Sequence, residues 1–232
     1  ISRQQFVRDS ELTIAGLSDL LPCIDVDRWV AAGTAVQSPY WFMAIREATG
    51  LHRGLPPTEQ PFRCADYAGF CDGQALLRAF CPFTCGCDDA RSGLALSRPN
   101  QGCPAQCLAI TSKALDSEDC SDLDVSGTAN WTRYWRSYQH VMSAMFAQRS
   151  EDIRRFVDRK IAGGCAEMSP DLFSGADFSR EDVPLFQHNG LAVVRGFCPA
   201  RCCSGSDLSP ECPRSCPRQA TTALSRAARG IA

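Results

Sequence analysis

The chain has 232 residues, with 24 basic and 26 acidic side chains and a formal net charge of -2. Ordinary hydrophobic and charged fractions exclude a disordered or fibrous chain. The near-neutral balance excludes a dedicated nucleic-acid binder, which would carry a basic face or tail. Fifteen cysteines are the departure. A cytosolic protein seldom holds so many unless they bind metal, so they read as a disulfide framework of the cell exterior or of an oxidising organelle lumen. The odd number leaves at least one thiol free or shared with another chain. No run approaches the roughly 18 apolar residues of a transmembrane helix. The chain starts at Ile1 with no legible signal peptide, and reads as a mature product or a fragment.

In chain order, Ser38-Pro39 can cap and open a helix that runs through Ala48 and stops at Gly50. Asp72 to Phe80 reads as a short helix. Trp131, Tyr134, Trp135, Tyr138, Val141, Met142, Met145 and Phe146 fall at helical spacing. Ser150 with Glu151 and Asp152 looks like a fresh start, and Ile153, Phe156, Val157 and Ile161 continue the apolar face to Gly163-Gly164. The pattern fits one kinked helix or two. Period-2 runs are absent. The predicted fold is mainly α, small and disulfide-rich, with short helices and long loops.

The motif Cys-Pro-x-x-Cys occurs four times, as Cys81–Cys85, Cys103–Cys107, Cys198–Cys202 and Cys212–Cys216. Leu76-Leu77-Arg78-Ala79-Phe80-Cys81-Pro82 matches Val193-Val194-Arg195-Gly196-Phe197-Cys198-Pro199. Cys87 matches Cys203, with Gly86 deleted in the later segment. Upstream, Cys23 corresponds to Cys120 and Cys64 to Cys165. The chain therefore reads as two diverged copies of one module, residues 1–112 and 113–217, with a tail at 218–232. The first copy has eight cysteines and the second seven. The missing one is Cys71, whose place is taken by His188.

Proline just after a cysteine suits the first turn of a helix. Two helical cysteines four apart hold their β-carbons about 5–6 Å from each other, whereas a disulfide wants about 3.5–4.5 Å. The two cysteines of one motif should therefore not bond each other but staple one turn to two other places. The spacing also differs from the Cys-x-x-Cys of thioredoxin-like redox sites and of zinc knuckles, and only His52, His140 and His188 could add nitrogen ligands. No metal or cofactor is expected.

Cys64-Ala65-Asp66, Cys71 and Cys81-Pro82-Phe83-Thr84-Cys85-Gly86-Cys87 together resemble the ShK toxin-like (ShKT) module over residues 64–87. That resemblance implies an extracellular helical module with Cys64–Cys87 and Cys71–Cys81 bridged. On that pairing Cys198 would lose its partner, placing the odd thiol in the second copy. Channel block does not carry over, because residues 64–87 contain no lysine. The paired Cys-x-x-x-Cys motifs also resemble small intermembrane-space chaperones, which implies Cys81–Cys107 and Cys85–Cys103 instead.

Other candidate sites have plainer readings. The aromatic stripe from Trp131 to Phe146 could bind a glycan or a partner, but suits a helix packed into its own core. Asn130-Trp131-Thr132 is a glycosylation sequon. Asp25/Asp27 and Asp88/Asp89 could serve as acid pairs for catalysis or calcium, but lack calcium-loop spacing and read as solvated loop carboxylates. His188 beside Asn189-Gly190 reads as a turn residue. No catalytic motif stands out. The expected function is non-catalytic: a disulfide-stapled structural or interaction protein with protein partners, serving as an ectodomain or subunit of a larger assembly. The alternatives are a secreted Cys-rich enzyme or its appendage, and a thiol-redox or zinc protein.

Overall fold

The computed structural model describes residues 16, 18–31, 39–55, 61–168, 191–203 and 211–217. His188 and the tail 218–232 lie outside them. Among the described residues the regular structure is helical, with no strand. The helices are α1 (Val26–Ala31), α2 (Pro39–Thr49), α3 (Ala75–Phe80), α4 (Pro82–Cys85), α5 (Ala105–Leu115), α6 (Ala129–Met145), α7 (Ser150–Gly163) and α8 (Pro199–Cys202). Short 3-10 turns join them, among them Cys64–Phe70 and Ala147–Arg149. The α2 span matches the helix expected from Ser38-Pro39 to Gly50. The Asp72–Phe80 helix starts three residues later than expected.

Two apolar cores form. In the first, Phe42 and Ile45 of α2 join Tyr67, Leu77 and Phe80, and Cys23, Cys64, Cys71, Cys81, Cys85, Cys87, Cys103 and Cys107 lie in the same cluster. Phe42, Phe62 and Tyr67 stack in series, with ring centroids 4.6 and 4.8 Å apart. The second core is built on α6 and α7. The expected apolar face is real: Trp131, Tyr134, Trp135, Tyr138 and Met142 are all buried, and face Ile153, Phe156 and Val157.

The open question of one kinked helix or two is decided at Phe146, whose φ of -128° and ψ of 59° leave the helical region. The chain turns through Ala147–Arg149, and Ser150 opens α7 with Glu151 and Asp152 in its first turn, where carboxylates meet the positive helix end. The Trp131 indole N–H near the start of α6 donates to the Lys160 carbonyl near the end of α7 at 2.8 Å, so the pair runs antiparallel. Lys160 is itself buried, its ammonium 5.0 Å from the Phe156 ring centre and donating to the Glu167 carbonyl.

Seven disulfides close the fold: Cys23–Cys107, Cys64–Cys81, Cys71–Cys85, Cys87–Cys103, Cys120–Cys216, Cys165–Cys198 and Cys203–Cys212. Cys202, not Cys198, is the cysteine outside these bridges, and it is buried. No Cys-Pro-x-x-Cys motif bonds internally, in keeping with the spacing argument. The proline opens α4 and α8 as expected. In Cys103–Cys107 the helix begins one residue later, at Ala105, and Cys212–Cys216 is a turn.

The pairings implied by the ShKT resemblance are corrected. Cys64 bonds Cys81, not Cys87, and Cys71 bonds Cys85, not Cys81. The 3-10 turn Cys64–Phe70 lies beside α4, so each end of the turn meets one of the two sulfurs that α4 presents a turn apart. Gly86, at φ 84°, then reverses the chain into the left-handed region that favours glycine, and Cys87 leaves toward Cys103. The Cys81–Cys107 and Cys85–Cys103 pairings of the chaperone analogy do not occur either.

Candidate functional site

Asp25 begins two residues after Cys23, in the bend before α1. The sequence suggests a solvated loop carboxylate there, but Asp25 is 4 % exposed. Its oxygens accept the backbone N–H of Phe83 at 2.8 Å and of Thr84 at 3.1 Å, and the Thr84 hydroxyl at 2.7 Å. This is helix N-capping supplied from 58 positions away: Pro82 has no N–H to satisfy, and the next two donors of α4 point at Asp25. Asp27 accepts the Cys64 N–H at 2.9 Å and the Arg28 N–H at 2.9 Å.

Asp25, Asp27 and Cys64 bring ligand atoms within 4.8 Å of one another, the one such grouping among the described residues. The donor set is unsuited to an ion. The sulfur is bonded to Cys81, and both carboxylates already accept the hydrogen bonds of the turns they hold.

The later half repeats the device. Asp122 stands two residues after Cys120 and accepts the Arg201 N–H of α8 at 3.2 Å, with the Arg201 guanidinium closing on it at 3.2 Å. Thr84 and Arg201 are both the fourth residue of their Cys-Pro-x-x-Cys. Cys81 and Cys198 have nearly the same backbone, φ -127° and ψ 53° against φ -124° and ψ 58°. Their N–H groups reach back to Leu77 and Val194 respectively.

Arg78 and Arg195, paired in the matched heptapeptides, are each 2 % exposed. Arg78 donates to the carbonyls of Cys71, Asp72 and Gln101, and burial pulls its guanidinium down to about 10. Sequence reasoning missed both the cap and the buried arginine. The Cys-x-Asp spacing and the recurring arginine were their signals.

The remaining cluster of ionisable groups lies where the halves meet. The segment after Cys87 crosses onto the second core, where Ala95 is fully buried. Its carbonyl accepts the Ala192 N–H at 2.7 Å, and the Ala192 carbonyl accepts the Tyr134 hydroxyl at 2.8 Å. Burial pushes the Tyr134 phenol well above its usual range. Arg98 and Glu211 pair at 3.0 Å, nearly buried. Arg133 pairs with Asp72 at 2.9 Å and reaches the Ser92 carbonyl. Arg91 donates to the Gly196 carbonyl at 2.8 Å. Gly93 is indispensable here: its φ is 76°, and a Cβ would collide with the Asn130 carbonyl.

A cavity of about 20 Å³ remains in this seam, bordered by Cys87, Leu94, Thr111, Tyr134, Val193 and Glu211. That volume holds about one water, whereas small-molecule sites run to about 300 Å³ or more.

The other sequence candidates are dispersed. Asp89 is exposed and caps the turn at Arg91. Asp88 is half-buried, and desolvation raises its carboxyl above the ordinary range, with the charges of Asp89 and Asp25 adding to the effect. His52 has its Nδ1 3.4 Å from the Tyr67 hydroxyl, and His140 is exposed on α6. The Trp131–Phe146 stripe is core up to Met142 and exposed at Met145 and Phe146. Asn130 is exposed. Helix α5 runs unbroken across position 112, where the sequence places the module boundary. No family model, curated protein or solved structure matches the chain.

Proposed function

We propose that this chain is a non-catalytic, disulfide-stapled structural or interaction protein, a tandem duplication serving as an ectodomain or subunit of a larger extracellular or oxidising-lumen assembly. The observation that carries it is the correspondence of the two bridge sets. With Cys23 set against Cys120, Cys64 against Cys165 and so on along the chain, 23–107 matches 120–216, 64–81 matches 165–198, and 87–103 matches 203–212. Cys85 matches Cys202, which makes no bridge, and the cysteine that would stand at the Cys71 position is the one the second copy lacks.

Further support comes from how the polar groups are used. Asp25, Asp27, Asp122, Arg78, Arg98 and Glu211 all hold segments together. The zinc and thiol-redox alternatives draw on unbridged cysteines, of which one remains. The ShKT resemblance points to the same setting with a different pairing, so the proposal leans on the bridges. The test is non-reducing size-exclusion of the native protein from the cells that make it, followed by cross-link mapping. Elution within a larger complex, with cross-links on exposed residues, is expected. Elution as a monomer with no cross-linked partner would overturn the reading.

A further inference from the structure

Asn130-Trp131-Thr132 is the only Asn-x-Ser/Thr sequence in the chain. Asn130 lies in the first turn of α6 with its side chain exposed, while Trp131 beside it is fully buried. The core takes Trp131 and solvent takes Asn130, so a sugar on Asn130 has room although the helix packs into the core. The backbone at Asn130 is held against Gly93 of the first half, so its side chain leaves the surface at the seam.

We propose that Asn130 carries an N-linked glycan. The inference rests on the secretory-lumen reading above. Occupied, the site places a bulky polar group over the line where the halves meet and screens that line from partners, which leaves docking to other faces. Attachment precedes folding. Once Trp131 is buried with its indole N–H on the Lys160 carbonyl, the tripeptide is no longer open to an enzyme that must bind it as a peptide.

The experiment is secretion of the full chain from a eukaryotic host, with the intact mass taken before and after peptide-N-glycosidase F and the disulfides mapped on the same sample. One removable glycan, with Asn130 converted to aspartate on its release, is expected. N130Q and T132A should lose it completely, and T132S should keep it. A chain with the seven bridges and an unmodified Asn130 overturns the inference while the compartment reading stands. An unmodified chain without the bridges overturns both.

Discussion

Removing the Asp25 carboxylate leaves two α4 amides and the Thr84 hydroxyl without their acceptor in a place water barely reaches. Capping residues contribute about 1 kcal/mol, and unsatisfied buried donors cost about 1–3 kcal/mol. Asp25→Ala should therefore lose about 2–3 kcal/mol in denaturant titrations with the bridges intact. Asp122→Ala should lose about 1 kcal/mol or less, because Asp122 and Arg201 are partly solvated. Asp88 works in the opposite sense. Its folded carboxyl titrates above the ordinary value of 3.8, so folding is penalised at neutral pH and the penalty disappears as pH falls below that value. Asp88→Asn should raise Tm at pH 7, and the difference from wild type should vanish near pH 3. A Tm difference that does not change with pH would contradict this. At this scale the sequence was least legible. Asp25 looks like any loop aspartate, because its partners are 58 and 59 residues away and only the chain's path brings them to it.

Helices α6 and α7 were the most legible elements, since apolar residues at helical spacing need only one face to hide. Trp131, Trp135 and Tyr138 form edge-to-face contacts, with Trp131–Trp135 and Trp135–Tyr138 centroids at 5.5 and 5.6 Å. Trp135→Ala should cost about 3–5 kcal/mol, whereas Trp41→Ala, at a site 37 % exposed, should cost far less. Thermal unfolding of the two variants checks the contrast. The fresh start at Ser150 was legible, but whether the chain kinks or breaks before it was not, because Phe146 continues the apolar pattern and leaves the helix through its backbone. The short helices α4 and α8 were legible from their Cys-Pro starts. The fourth motif has the same start and forms only a turn, since Cys216 closes on Pro213 and the described chain does not continue as helix.

Across the whole molecule, the correspondence of cysteines was legible but their bonding was not. Spacing excluded bonds within a motif. It could not say which of two sulfurs on one helical turn meets Cys64, a choice made by the packing of the 3-10 turn beside α4. The second half folds without a counterpart of Cys71–Cys85, so that bridge should be dispensable for topology in the first half as well. Cys71→Ser/Cys85→Ser should keep the other six bridges and lose about 2–4 kcal/mol, read from denaturant midpoints. Gly93→Ala should open the seam between the halves without disturbing either core. Faster amide exchange at Ala192, with unchanged exchange at Val157, would register it.

The most direct test of the two-copy account is non-reduced peptide mapping by mass spectrometry, with alkylation in denaturant before digestion. The account expects the seven pairings given above, every bridge confined to its own half, and Cys202 alone alkylated. A bridge joining the halves, the Cys64–Cys87 and Cys71–Cys81 pairs, or a free thiol in the first half would contradict it.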